Sequence, residues 1–286
     1  MPSLIDIRRR IRSVKNTQQI TKAMKMVSAA RLRKAQDRVI AARPYAALLR
    51  QMLGSAAAAA GAGGQTVAHP LLARREEKRI QLVFLTGERG LAGAFNSNLI
   101  KASLRFAEEH AGCELSYELL GRKGRDYYRK RNVAISGEHA GLLNRVQYAD
   151  AAAIARKLME RFSNEEIDAL YILNNEFKSV ISQKLAVTRV LPVELPADTA
   201  ATEYLWEQPP AEILGRLLPR YVEVELYRAM LESAAAEHAA RMTAMEAATS
   251  NAAEMIDQLT LYMNRVRQAS ITKEIIEVVS GAVALE

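Results

Sequence analysis

The sequence predicts an α+β protein: a long antiparallel coiled coil of the N- and C-terminal helices, with a small α/β domain inserted between them. Two observations predict the coiled coil. Leu4, Ile7, Ile11 and Val14 open a seam of three- and four-residue steps, and a second seam runs from Leu231 to Ser270. A third predicts the insertion: between the seams, short apolar runs alternate with helical patterns.

The first helix is expected over 1–60. Ser3 is a candidate N-cap, and Asp6 stands in the first turn, near the positive end of the helix dipole. After a slip, the seam continues through Ile20, Met24 and Val27. After a second, it runs through Leu32, Ala35, Val39, Ala42, Ala46, Leu49 and Leu53. Pro44 removes one backbone donor and should kink the helix or mark a weak point. The alanine run Ala56–Ala60 extends the pattern until Gly61, Gly63 and Gly64 stop it.

The last helix is expected over 209–286. Pro209 and Pro210 suit a helix start, while Pro219 should kink it or move the start to about Arg220. Its seam is Leu231, Ala235, His238, Met242, Met245, Thr249, Ala252, Ile256, Leu259, Met263, Val266 and Ser270. At about 1.5 Å per residue the two helices would each be on the order of 100 Å long. Neither stripe fits inside a compact domain of this size, so the two are expected to wrap each other.

The middle, 71–200, follows a strand–helix grammar of Rossmann-like type. Strands are expected at Ile80–Leu85, Leu115–Leu120, Val133–Ser136, Leu170–Leu173 and Leu185–Leu191. Helices are expected at Asn98–His110 and Ala151–Phe162.

Charge is unevenly distributed. The chain has 286 residues and a net charge of +8, and residues 1–50 hold 13 Lys/Arg against 2 Asp/Glu. This segment calls for an acidic partner: nucleic acid, anionic lipid or an acidic protein surface. A merely solvated charged face fits the same residues. Against nucleic acid, no aromatic residue interleaves before Tyr45, and the basic run passes straight into the seam. No apolar run reaches the ~18–20 residues of a membrane helix. Met1–Arg12 is charged and periodic where an export signal would be apolar, which predicts an untargeted, cytosolic chain.

Catalytic chemistry finds little footing. Cys113 is the single cysteine, and His69, His110, His139 and His238 match no metal spacing. The glycines of Gly87-Glu-Arg-Gly90-Leu-Ala-Gly93 follow a strand, but their spacing fits neither the dinucleotide fingerprint nor a P-loop. They read as a tight strand-to-helix turn. No metal, cofactor or catalytic residue is expected. A basic coiled-coil nucleic-acid binder and a nucleotide-binding α/β enzyme are the competing classes.

Three segments carry a family resemblance. Ile7-Arg-Arg-Arg-Ile-Arg-Ser-Val-Lys-Asn-Thr-Gln-Gln-Ile-Thr-Lys-Ala-Met24-Lys-Met-Val-Ser-Ala-Ala-Arg31 resembles the N-terminal helix of ATP synthase gamma subunits. Arg89-Gly-Leu-Ala-Gly-Ala-Phe-Asn96 is similar to their glycine-rich turn, with Ala92 where many members carry Cys. Arg267-Gln-Ala-Ser-Ile-Thr-Lys-Glu-Ile-Ile-Glu-Val-Val-Ser-Gly-Ala282 resembles their C-terminal signature.

The resemblance implies a non-catalytic rotor shaft, one copy per complex, standing in a head of alpha and beta subunits. Its foot would rest on the ring of c subunits beside epsilon, at the cytoplasmic face of a bacterial inner membrane. Membrane contact would come only through that c-ring. The same resemblance implies contacts to beta at Met24, Arg267, Gln268, Thr272 and Glu274. It places Tyr204, Trp206 and Glu207 against epsilon and the c-ring. The apolar residues Ile275, Ile276, Val279 and Val283 would form the bearing tip in the head. Chloroplast relatives carry a regulatory cysteine pair that the lone Cys113 cannot supply.

Overall fold

The computed structural model describes residues 3–62, 69–180, 182–195 and 206–283. Helix α1 spans Leu4–Ala62 and α5 spans Pro210–Val283. Between them lie β1 (Arg79–Leu85), α2 (Phe95–Glu109), β2 (Glu114–Leu120), α3 (Arg122–Tyr128), β3 (Ala134–His139), α4 (Tyr148–Ser163), β4 (Ala169–Phe177) and β5 (Gln183–Leu191). The chain divides into two compact units, Met1–Ser28 with Met242–Glu286, and Ala29–Arg241.

In the larger unit the sheet has the order β3-β2-β1-β4-β5. β1 lies parallel to both β2 and β4, with Val83 opposite Glu118 on one side and Ile172 on the other. β5 runs antiparallel to β4. Being central explains the composition of β1: Ile80 and Leu82–Leu85 are fully buried. α2 presents Phe95, Leu99 and Phe106 to the core, and α4 presents Ile154, Leu158 and Phe162, each at helical spacing. Gly121, which starts α3, has φ +99°, and a Cβ there would lie 2.1 Å from the Thr86 carbonyl oxygen. Only glycine permits this turn.

The parts of α1 and α5 in this unit run antiparallel. Arg43 pairs with Glu232 and Arg50 with Glu225, so rising numbers on one helix meet falling numbers on the other. Leu32, Val39, Ala46, Leu49 and Leu53 of the expected seam are buried. α1 continues through Pro44 and ends at Ala62, while Gly63 and Gly64 lie outside the described residues. α5 begins at Pro210, and Pro219 lies within it, so the helix does not start at Arg220. Pro219 falls in the helix's third turn, and the amides of Glu212 and Ile213 both donate to the Pro209 carbonyl at the start.

In the smaller unit the Ser3 hydroxyl accepts from the Asp6 amide at 3.2 Å and donates to the Asp6 carboxylate at 2.7 Å, closing the expected cap. That hydrogen bond holds the Asp6 carboxyl below its usual range. Here too the helices are antiparallel, with Lys25 on Glu246 at 2.6 Å and Thr21 on Thr249 at 2.8 Å. The seam differs from expectation: Ile20 and Val27 are exposed, while Thr21 and Ser28 are buried. Threonine satisfies its hydroxyl at the Gln18 carbonyl and across the seam, which removes the penalty of burying it.

Candidate functional site

Five turns near the end of α5 carry most of the expected site residues. Arg267, Gln268, Thr272, Glu274, Ile275, Ile276 and Val279 are all exposed. The Thr272 hydroxyl donates to the Gln268 carbonyl at 2.9 Å. Ile271, Ile275, Ile276, Val278 and Val279 leave about half or more of their surface uncovered. Val283 closes the helix, but its side chain lies outside the described residues. No side chain of the described residues covers this run of large apolar side chains.

Met24 belongs to a different level of the same unit. It is half-buried beside Lys25, whose partner Glu246 precedes Arg267 by 21 positions. With a rise of 1.5 Å per residue, roughly 30 Å of helix separates the two levels. The expected contacts to beta therefore form two groups. Of the expected foot contacts, Trp206 is half-buried and Glu207 exposed just before α5, and Tyr204 lies outside the described residues.

The glycine-rich turn is tied to α5. Arg241 donates to the carbonyls of Arg89 at 3.2 Å and Gly90 at 3.4 Å, and it pairs with the buried Glu237. The Gly87 amide donates to the Asn96 side chain at 2.8 Å. A Cβ at Gly87 would press on the Glu237 carboxylate at 3.0 Å. Gly87 therefore serves close packing, whereas Gly93 serves its positive φ of 56° and a Cβ at Gly90 would meet only Lys123 at 3.9 Å. Glu88 is buried and accepts from the amides of Gly141 and Arg122.

Glu223, Glu225, Glu232 and Glu237 line the packed part of α5, each nearly fully buried and each met by arginine. Burial opposes the charged form of Glu223, but the hydroxyl of Tyr148 and the guanidiniums of Arg156 and Arg220 outweigh it and hold its carboxyl down. Glu232 is pushed up by burial, against the attraction of Arg228. The basic segment therefore finds part of its acidic partner within the chain: Lys25, Arg43 and Arg50 all pair with glutamates of α5. The spacing of Glu237 and Arg241, four residues apart, was legible as a helical pair, but not what it clasps. Among the described residues no cluster of His, Cys, Asp and Glu could hold a metal. Nor is any helix among them long and apolar enough to cross a membrane.

A family model described as ATP synthase matches residues 3–285. The chain is 70% identical over 286 residues to the ATP synthase gamma chain of Solibacter usitatus (strain Ellin6076), covering all of both chains. The chain belongs to the ATP synthase gamma chain family. A gamma chain from Anaeromyxobacter sp. (strain Fw109-5) is 52% identical over 291 residues, again covering both chains completely. The same fold occurs in the central stalk and c-ring structure of the Tetrahymena thermophila mitochondrial ATP synthase. That match has a TM-score of 0.61 at 24% identity, over 80% of this chain and 99% of that one. It occurs also in the OSCP/F1/c-ring structure of the Euglena gracilis mitochondrial ATP synthase. Here the TM-score is 0.67 at 19% identity, over 99% of this chain and 94% of that one.

Proposed function

We propose that this gamma chain is the central rotor shaft of its synthase and is itself non-catalytic. In this reading it couples rotation of a proton-driven c-ring to the conformational cycle of the catalytic sites on beta. It thereby governs both ATPase activity and proton flow. The division into a shaft helix over 1–60, a foot over 71–200 and a second shaft helix over 209–286 follows from that role. The partners are the alpha and beta head, epsilon and the c-ring, with one copy per complex. The location is the cytoplasmic face of a bacterial inner membrane, reached through the c-ring and without a cofactor.

One observation carries the reading. In a chain of this family, the end of α5 exposes Ile271, Ile275, Ile276, Val278 and Val279. Lys273, Glu274 and Glu277 stand among them, and Lys273 and Glu277 pair with each other, so the apolar side chains can turn against an apolar bearing while these charges stay in water or with each other. The polar residues just before it, Arg267 and Gln268, can each give several directional hydrogen bonds to beta. Met24 is a second contact to beta at its own level. Trp206 and Glu207, with Tyr204, would face epsilon and the c-ring.

The test uses the assembled enzyme in membranes. Arg267→Ala and Gln268→Ala should each lower ATP-driven proton pumping more than Lys101→Ala, an exposed change on α2, while the complex still assembles. Equal effects of all three would contradict the contact role. ATP hydrolysis by the purified chain alone would contradict the non-catalytic one.

A further inference from the structure

Along the packed part of α5, arginines meet glutamates: Arg43, Arg50, Arg156, Arg220, Arg228 and Arg241 all have a carboxylate partner there. One hollow is different. Arg31, Lys34 and Arg38 of α1, Arg89 of the glycine-rich turn and Arg145, just before α4, line a cavity of about 570 Å³. No aspartate or glutamate lines it. None of the five cations has a carboxylate partner among the described residues. All five side chains are exposed, and like charges gathered around one concavity raise the local concentration of anions there.

The hollow has a built floor. Leu143, Val146 and Leu231 are buried beneath the cations. Its volume lies within the roughly 300–1,000 Å³ of small-molecule sites. A second hollow of about 360 Å³ shares Arg38 and is lined by Tyr45, Tyr148 and Tyr227. Tyr148 is fixed there by Arg220 stacked 4.9 Å over its ring and by Tyr227 edge-on at 5.6 Å. Guanidiniums beside fixed aromatic faces suit phosphates attached to a planar base.

We propose that the hollow between Arg31, Lys34, Arg38, Arg89 and Arg145 is a binding site for a small polyphosphate anion, free or carried by a nucleotide. The site goes beyond the rotor role and does not depend on it. His238 reports on it from the wall. Burial, then Arg241 and Arg31, push its imidazole down to about 4. Around the hollow it lines stand Arg31, Lys34 and Arg38 from α1, Arg89 and Arg145; on its own helix stands Arg241, whose other partner is the Glu237 carboxylate. A bound polyanion would oppose that field and raise the imidazole's pKa.

The test measures binding of tripolyphosphate and of ATP, without divalent metal, to the purified full-length chain by equilibrium dialysis at ionic strength about 0.15 M. One saturable site is expected. Arg89→Gln and Arg145→Gln should each weaken it about tenfold, as loss of a charged hydrogen-bond donor does. Lys15→Gln and Lys101→Gln remove the same charge elsewhere and should leave it unchanged. The His238 resonances should titrate at higher pH when tripolyphosphate is bound. Tighter binding of ATP, lost selectively in Tyr45→Ala, would place a base in the tyrosine hollow; equal affinities would assign the site to phosphate alone. Both support the proposal. Unsaturable binding, or equal weakening by all four charge variants, would overturn it as diffuse attraction to a basic chain. Displacement of tripolyphosphate by a glutamate-rich peptide at lower concentration than by ATP would overturn it in favour of a protein dock.

Discussion

Within Ala29–Arg241, every turn of α5 from Leu214 onward buries at least one side chain. In the other unit, α5 beyond Ala252 buries none among the described residues. The packed stretch is rich in small residues, Ala229, Ala234–Ala236 and Ala239, and its glutamates are matched by arginines. The bare stretch keeps Ile275, Ile276, Val278 and Val279 in the open. One helix therefore serves two ends by composition alone. Where it must hold the α/β domain, it uses close-fitting alanines and paired charges. Towards its end it carries large apolar side chains that stay exposed, the stretch proposed to meet the head.

The sharpest way to break this contrast is to unpair a buried charge in the packed stretch. Arg241→Met leaves Glu237 buried without its partner and releases the Arg89 and Gly90 carbonyls. Removing one member of a buried pair costs about 3–5 kcal/mol, and urea unfolding should show a loss of that size. A change below about 0.5 kcal/mol, typical of a surface site, would mean that the clasp does not hold the turn.

Next in size is a pH effect at His238. Its folded pKa, about 4, lies below the ordinary 6.5, so the unfolded chain binds the extra proton between those values. Stability from this group is therefore complete above about pH 6.5 and falls as pH drops towards 4, by on the order of 2–3 kcal/mol. Comparing unfolding at pH 7 and pH 4.5 isolates the term. The native chain should lose more stability than His238→Gln over this interval, and equal losses would rule the mechanism out.

The smallest folding effect is expected at the bare end. Ile275→Ser with Ile276→Ser should change urea stability by no more than about 0.5 kcal/mol, because neither side chain is buried. The same double change should impair coupling in the assembled enzyme. A large loss of stability in the chain alone would show that the tip is a folding element after all.

Much of this was legible in the sequence. The strand runs around Ile80–Leu85 and Leu115–Leu120 read directly, because a central strand is apolar on both faces. The exposed tip followed from a second seam that outruns the first. The seam near Ile20 and Val27 was misread because apolar residues outweigh hydroxyls in any periodicity count. The structure instead seats Thr21 and Ser28 there, with the Thr21 hydroxyl paired to Thr249. α3 escaped notice because its seven residues bury only Gly124 and Tyr128. The hollow of cations was invisible for another reason: Arg145 and Arg31 are far apart in the chain, and only the fold brings them to one cavity.

As the proposed rotor, this chain should turn within its complex. The direct measurement is to anchor the assembled enzyme by its alpha and beta head, attach an optical probe to the α/β domain of this chain, and supply ATP. Continuous rotation in one direction, stopping when ATP is removed, is expected. Hydrolysis at a normal rate with the probe stationary would contradict it.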